Sequence, residues 1–163
     1  MPLMDNPKKV QITVALVVLA ALFAYGTKCH GEEVVFSGGT TVAHGPAEAI
    51  DLSWRFPSEV TDAYWQASLT LVGDSEYGGR QPNQAAAQVL YVDGFGPMDI
   101  GIGAALLQNV DRYNGSHANF ALQIGYNFRL FGVDLYAQYR HWSNAGTVKP
   151  NLGRDIVFVG HRF

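Results

Sequence analysis

An imidazole and a hydroxyl two residues apart, at His141 and Ser143, are the side chains of this chain best suited to nucleophilic chemistry. A serine hydroxyl attacks a carbonyl only when a neighbouring base takes its proton, and the base works best when an acid orients it. His141 is the nearest base. The run from Val133 to His141 alternates apolar and polar residues, and residues i and i+2 of a strand share a face. His141 and Ser143 therefore stand with Val133, Leu135, Ala137 and Tyr139, opposite Asp134, Tyr136, Gln138 and Arg140. In a water-soluble sheet such a pair belongs on the polar face. Here the chemistry is aimed at an apolar phase.

The acid is expected from the adjoining strand, where Asp155 shares parity with Val157, Val159 and Phe163. A hairpin folded about Val148 sets residue 155 directly across from residue 141. Directly paired residues have Cβ atoms about 4.5–5.5 Å apart, within reach of a carboxylate–imidazole bond. A one-residue slip would turn Asp155 to the other face, and Ile156 and Phe158 place apolar side chains there. Pattern alone leaves the facing of this last strand open. Asn144, Ala145 and Gly146, just past the hydroxyl, could turn backbone N–H groups toward an oxyanion, with Gly146 permitting an unusual φ. The plainer reading of the same three residues is a turn.

The elements that must position these groups read as short strands. Ile50, Leu52, Trp54 and Phe56 alternate with polar neighbours, as do Trp65 to Leu71, Phe120 to Phe128, and Val133 to His141. Less regular strands are expected over about Glu33–Val42, Ala85–Asp93, Met98–Gln108 and Arg154–Phe163. Eight segments of roughly ten residues, each with one apolar and one polar face, fit a transmembrane β-barrel. Three features favour that over a soluble, lipocalin-like carrier. Aromatic residues gather at strand ends (Trp54, Tyr64, Trp65, Phe131, Trp142 among them), the chain finishes on Phe163, and long connections alternate with tight ones. Eight strands leave room only for side chains inside. Asp51, Arg55, Asp134 and Arg140, with Gln66, Gln123 and Gln138, are expected to fill that interior.

Composition agrees. The 163 residues carry 18 glycines and 12% aromatics, only 15% charged residues and a net charge of −3. No basic stripe for nucleic acid is present. Lys8 and Lys9 precede an apolar stretch from Val10 to Ala24, ending in the small-x-small Ala24-Tyr25-Gly26. That is the pattern of a secretory signal peptide over residues 1–26, with the barrel over 27–163. Its apolar core is short for a membrane anchor. Cys29 is the only cysteine, so no intrachain disulfide can form, and no metal-ligand spacing is present.

At His141-x-Ser143-Asn144-Ala145-Gly146, Pro150-Asn151-x-Gly153 and the acid Asp155, the chain resembles the PagL-type outer-membrane lipid A 3-O-deacylases. Signal, length and terminal Phe163 agree over the rest, without further motifs. The resemblance implies a metal-free, cofactor-free esterase acting on lipid A of lipopolysaccharide in the outer membrane. It assigns the nucleophile to Ser143, the base to His141, the orienting acid to Asp155 and the oxyanion hole to Asn144, Ala145 and Gly146. Asp155 is one methylene shorter than the Glu that serves as the acid in the best-known member. The alternative is a non-catalytic barrel with a structural or adhesive role, and a homodimer stands open beside a single barrel. The Asp111-Arg112 pair is read as part of an exposed loop.

Overall fold

The computed structural model describes residues 33–163 apart from 44, 59–62, 76–82, 112 and 150. The expected signal peptide lies outside the described residues. Eight strands, β1 (Glu33–Thr41), β2 (Glu48–Pro57), β3 (Tyr64–Val72), β4 (Gln84–Phe95), β5 (Met98–Leu107), β6 (Ala118–Leu130), β7 (Val133–Ser143) and β8 (Arg154–Arg162), each pair antiparallel with the next. β8 closes on β1, for example Gly38 opposite Val159, so no sheet edge is left. Closure matters because an open edge in lipid would strand unpaired backbone groups.

The alternation read from the sequence is carried out inside-out. Ile100, Ile102, Leu106, Phe120, Leu122 and Ile124 stand exposed on the outer wall, while Asp51, Gln66, Thr70, Gln123 and Arg140 are buried in the lumen. A soluble carrier needs the reverse arrangement; an apolar exterior around a polar interior is the transmembrane barrel.

The lumen is filled and wired together. Arg140 Nη1 donates to Asp51 Oδ1 at 2.6 Å, and its Nη2 donates to Gln123 and Gln138 at 3.0 and 3.1 Å. Thr70 Oγ1 donates to the same Asp51 oxygen at 2.6 Å. Further along, the Tyr136 and Tyr64 hydroxyls donate to the two oxygens of Asp99 at 2.6 and 2.9 Å, and Arg55 pairs with Glu33 at 3.0 Å. Burying this many polar groups is tolerable because most have partners.

Three expectations need correction. Asp134 lies beyond the filled interior at the strand's rim, exposed and 3.4 Å from Arg129. Trp142 and Tyr64 are not part of an outer aromatic belt, because their parity points them inward. The Trp142 indole donates to Gln88 at 3.0 Å in the lumen. The turn expected at Arg129–Leu130 falls two residues later, at Phe131–Gly132, both with positive φ (51° and 82°). That is the backbone a two-residue hairpin with the sheet's twist requires, and glycine supplies it without strain.

The connections 58–63, Gly96–Pro97 and Phe131–Gly132 lie at one end and 42–47, 73–83, 108–117 and 144–153 at the other, where the three longest are gathered. Aromatic pairs mark the tight-turn end: Trp65 against Tyr91 at 5.3 Å and Tyr126 against Phe128 at 6.3 Å. The His141–Ser143 pair stands at the long-loop end.

Candidate active site

The site is assembled by the β7–β8 hairpin on the outer wall. The register sets His141 opposite Asp155, flanked by Arg140 opposite Ile156 and Trp142 opposite Arg154. Ile156 and Phe158, which left the facing of β8 open, are buried in the lumen. Asp155 is therefore on the outer face, and its Oδ1 lies 2.7 Å from His141 Nδ1. Holding the Nδ1 proton against a carboxylate leaves Nε2 as the lone-pair nitrogen, the tautomer a general base needs.

Asp155 has a second partner. The Tyr139 hydroxyl, one same-face step along β7 from the imidazole, donates a short hydrogen bond to the same Oδ1. The sequence offered Tyr139 only as one more residue of the apolar face. Its role shows only once the register places it diagonal to Asp155.

Ser143 is two residues beyond His141 on the same face. Its Oγ donates to Asn151 Oδ1 at 3.1 Å and accepts the Ala145 N–H at 3.1 Å. Among the described hydrogen bonds none joins Ser143 Oγ to the imidazole. Catalytic hydrogen bonds commonly tighten only once substrate is bound.

The turn after Ser143 is shaped by its own polar groups. Asn144 Oδ1 accepts the Gly146 N–H at 2.9 Å, Asn144 Nδ2 donates to Val148 O at 2.8 Å, and the Asn144 N–H donates to Asn151 Oδ1 at 3.1 Å. The backbone is left-handed at Ala145 and Gly146. Of the three residues expected to meet an oxyanion, Ala145 is the one whose N–H donates to Ser143 Oγ. Asn151 belongs to the Pro150-Asn151-x-Gly153 run, which by itself points to no role. Because its Oδ1 takes a backbone N–H, the amide orientation is fixed and the Nδ2 end is left to donate.

Gly153 completes the site from beneath. A Cβ there would lie 2.5 Å from His141 Cε1 and 3.2 Å from Nε2, and its φ is +73°. Only glycine allows the chain to pass this close to the ring. No group of three or more metal-ligating side chains occurs among the described residues.

Comparison with known proteins identifies the family and the fold. The family model described as lipid A 3-O-deacylase (PagL) matches residues 48–162, more than half of the chain and all of the site. Among solved structures the barrel is similar to one described as the crystal structure of the outer membrane enzyme PagL. The TM-score is 0.58 at 22% identity, covering 80% of this chain and 98% of that one. No curated protein sequence matches significantly.

Proposed function

The chain belongs to the lipid A 3-O-deacylase (PagL) family of outer-membrane β-barrels, and from that premise we propose that it hydrolyses the 3-O-linked hydroxyacyl ester of lipid A by a Ser143–His141–Asp155 mechanism in the outer leaflet. The supporting observation is the directly paired His141 and Asp155, 2.7 Å apart on the lipid-facing wall, with a hydroxyl one same-face step away.

Ser143 Oγ attacks the ester carbonyl as His141 Nε2 takes its proton. Asp155 stabilises the imidazolium through Nδ1–H. The Ala145 N–H stands beside the nucleophile and meets the oxyanion of the tetrahedral intermediate, with the Nδ2 end of Asn151, whose Oδ1 accepts the Ser143 hydroxyl in the resting site, as the second donor. The intermediate collapses, the C–O bond to the sugar breaks, and His141 returns the proton to the departing alkoxide. Water, deprotonated by the same imidazole, then attacks the acyl-Ser143 ester and releases the hydroxy fatty acid. Every step is proton and acyl transfer, so the mechanism calls on no metal or cofactor.

Outward parity supports the choice of substrate. A site on the barrel wall is reached sideways, from within the acyl layer, and an ester just below the sugar lies at that depth. Mass spectrometry of lipid A from cells expressing the chain tests this: one hydroxyacyl group should be lost, and Ser143→Ala should restore the full profile. Unchanged lipid A in the presence of a correctly inserted wild-type barrel would overturn the reading.

A further inference from the structure

The β7–β8 ladder ends at the pair Trp142–Arg154. Asn151 and Gly153, which touch the nucleophile and the base, therefore lie beyond the sheet that fixes the rest of the site. Their backbone is held from outside the hairpin as well, by the loop between β5 and β6.

Asp111 is the centre of that loop, and it is buried rather than exposed. Its Oδ1 accepts the N–H groups of Tyr113 and Asn114, both at 2.8 Å, which fixes the loop's shape. Its Oδ2 receives Arg154 Nη2 at 2.6 Å, with the two side chains only 1% and 4% exposed. Arg154 immediately precedes Asp155 and lies over the Tyr113 ring at 5.0 Å. The Tyr113 carbonyl accepts the N–H groups of Leu152 and Gly153 at 2.9 and 3.1 Å. Asn114 forms an isolated antiparallel bridge with Asn151.

We propose that Asp111 is a positioning residue: through Tyr113 and Arg154 it braces residues 151–154, and so sets Asn151 against Ser143 and Gly153 against the imidazole. This rests on the hydrolase reading above. One carboxylate does both jobs because its two oxygens serve different partners, one the loop backbone and the other the strand. A buried ion pair contributes little net stability compared with an apolar pair of similar volume. What it supplies is geometry, because its partners accept few alternative arrangements.

The test uses purified full-length barrels in detergent micelles with lipid A as substrate, and a fluorophosphonate that labels Ser143. Asp111→Asn keeps an oxygen for the loop N–H groups and removes the charge that holds Arg154. It should lower kcat and the labelling rate on the order of 10- to 100-fold, as expected for a misplaced catalytic group. KM should stay within a few-fold, and heat-modifiable gel migration should be unchanged. Arg154→Gln, cutting the same pair from the strand side, should behave alike. Combined with Gly153→Ala, the loss from Asp111→Asn should be less than multiplicative, since both act through His141. Full kcat and labelling in a folded Asp111→Asn barrel, or strictly multiplicative losses, would reject the brace. So would failure of both single variants to assemble, because the pair would then hold the fold and not the site. An inactive wild-type barrel rejects the hydrolase reading itself, which separates the two failures.

Discussion

His141 and Asp155 are Cα partners across the β7–β8 ladder, and their side chains meet at 2.7 Å on the outer wall. The contact needs no loop to adjust, since strand pairing alone delivers the carboxylate to Nδ1. Asp155→Ala should leave the ring free to rotate and to take the wrong tautomer. Single-turnover deacylation should fall, but by roughly ten- to a hundredfold less than in Ser143→Ala. Equal losses in the two variants would show that Asp155 does more than orient.

Tyr139 adds a second donor to the same carboxylate oxygen. Tyr139→Phe keeps the ring in the wall and removes only the hydroxyl. Losing one hydrogen bond to a charged group that retains another should cost less than about tenfold in kcat. KM for lipid A should not move. A large rise in KM instead would mean that the phenol contacts substrate.

Asn151 binds Ser143 Oγ at 3.1 Å while its other end remains available as a donor. Asn151→Ala should reduce kcat by roughly 10²–10³-fold, the usual effect of deleting one oxyanion donor. Asn151→Asp should be at least as damaging, because a carboxylate offers no N–H and repels the developing charge. Activity near wild type in the Asp variant would remove Asn151 from oxyanion stabilisation.

Most of this site was legible beforehand because strand parity and hairpin counting are local rules. Parity set His141 and Ser143 on the apolar face, and counting outward from Val148 arrived at the register that the barrel shows. The open question on β8 dissolves once the lumen is seen to hold Ile156 and Phe158 as well as polar groups. The Asp111–Arg154 pair was illegible, since its members are 43 positions apart and no periodicity links a loop to a distant strand end. The aromatic belt misleads for a related reason: Trp142 and Tyr64 sit near strand ends, but their inward parity decides where the rings go.

The lumen makes its own prediction. Arg140 and Asp51 are both fully buried, 2.6 Å apart. Arg140→Leu removes one partner and leaves a carboxylate enclosed without its cation, which should cost about 3–5 kcal/mol. Urea titration of the barrel in vesicles, followed by tryptophan fluorescence, should show a lower midpoint. Asp51→Asn combined with Arg140→Leu should recover part of it. A single-variant midpoint equal to wild type would mean the pair is dispensable to stability.

In the mechanism proposed above, Ser143 looks out through the wall rather than down the axis, and enzyme and ester would meet by sliding within one plane. The quantity that governs turnover is then the mole fraction of substrate in that sheet of lipid, not its amount per volume of medium. Diluting the target with inert amphiphile should slow the reaction even when every concentration in the tube is unchanged.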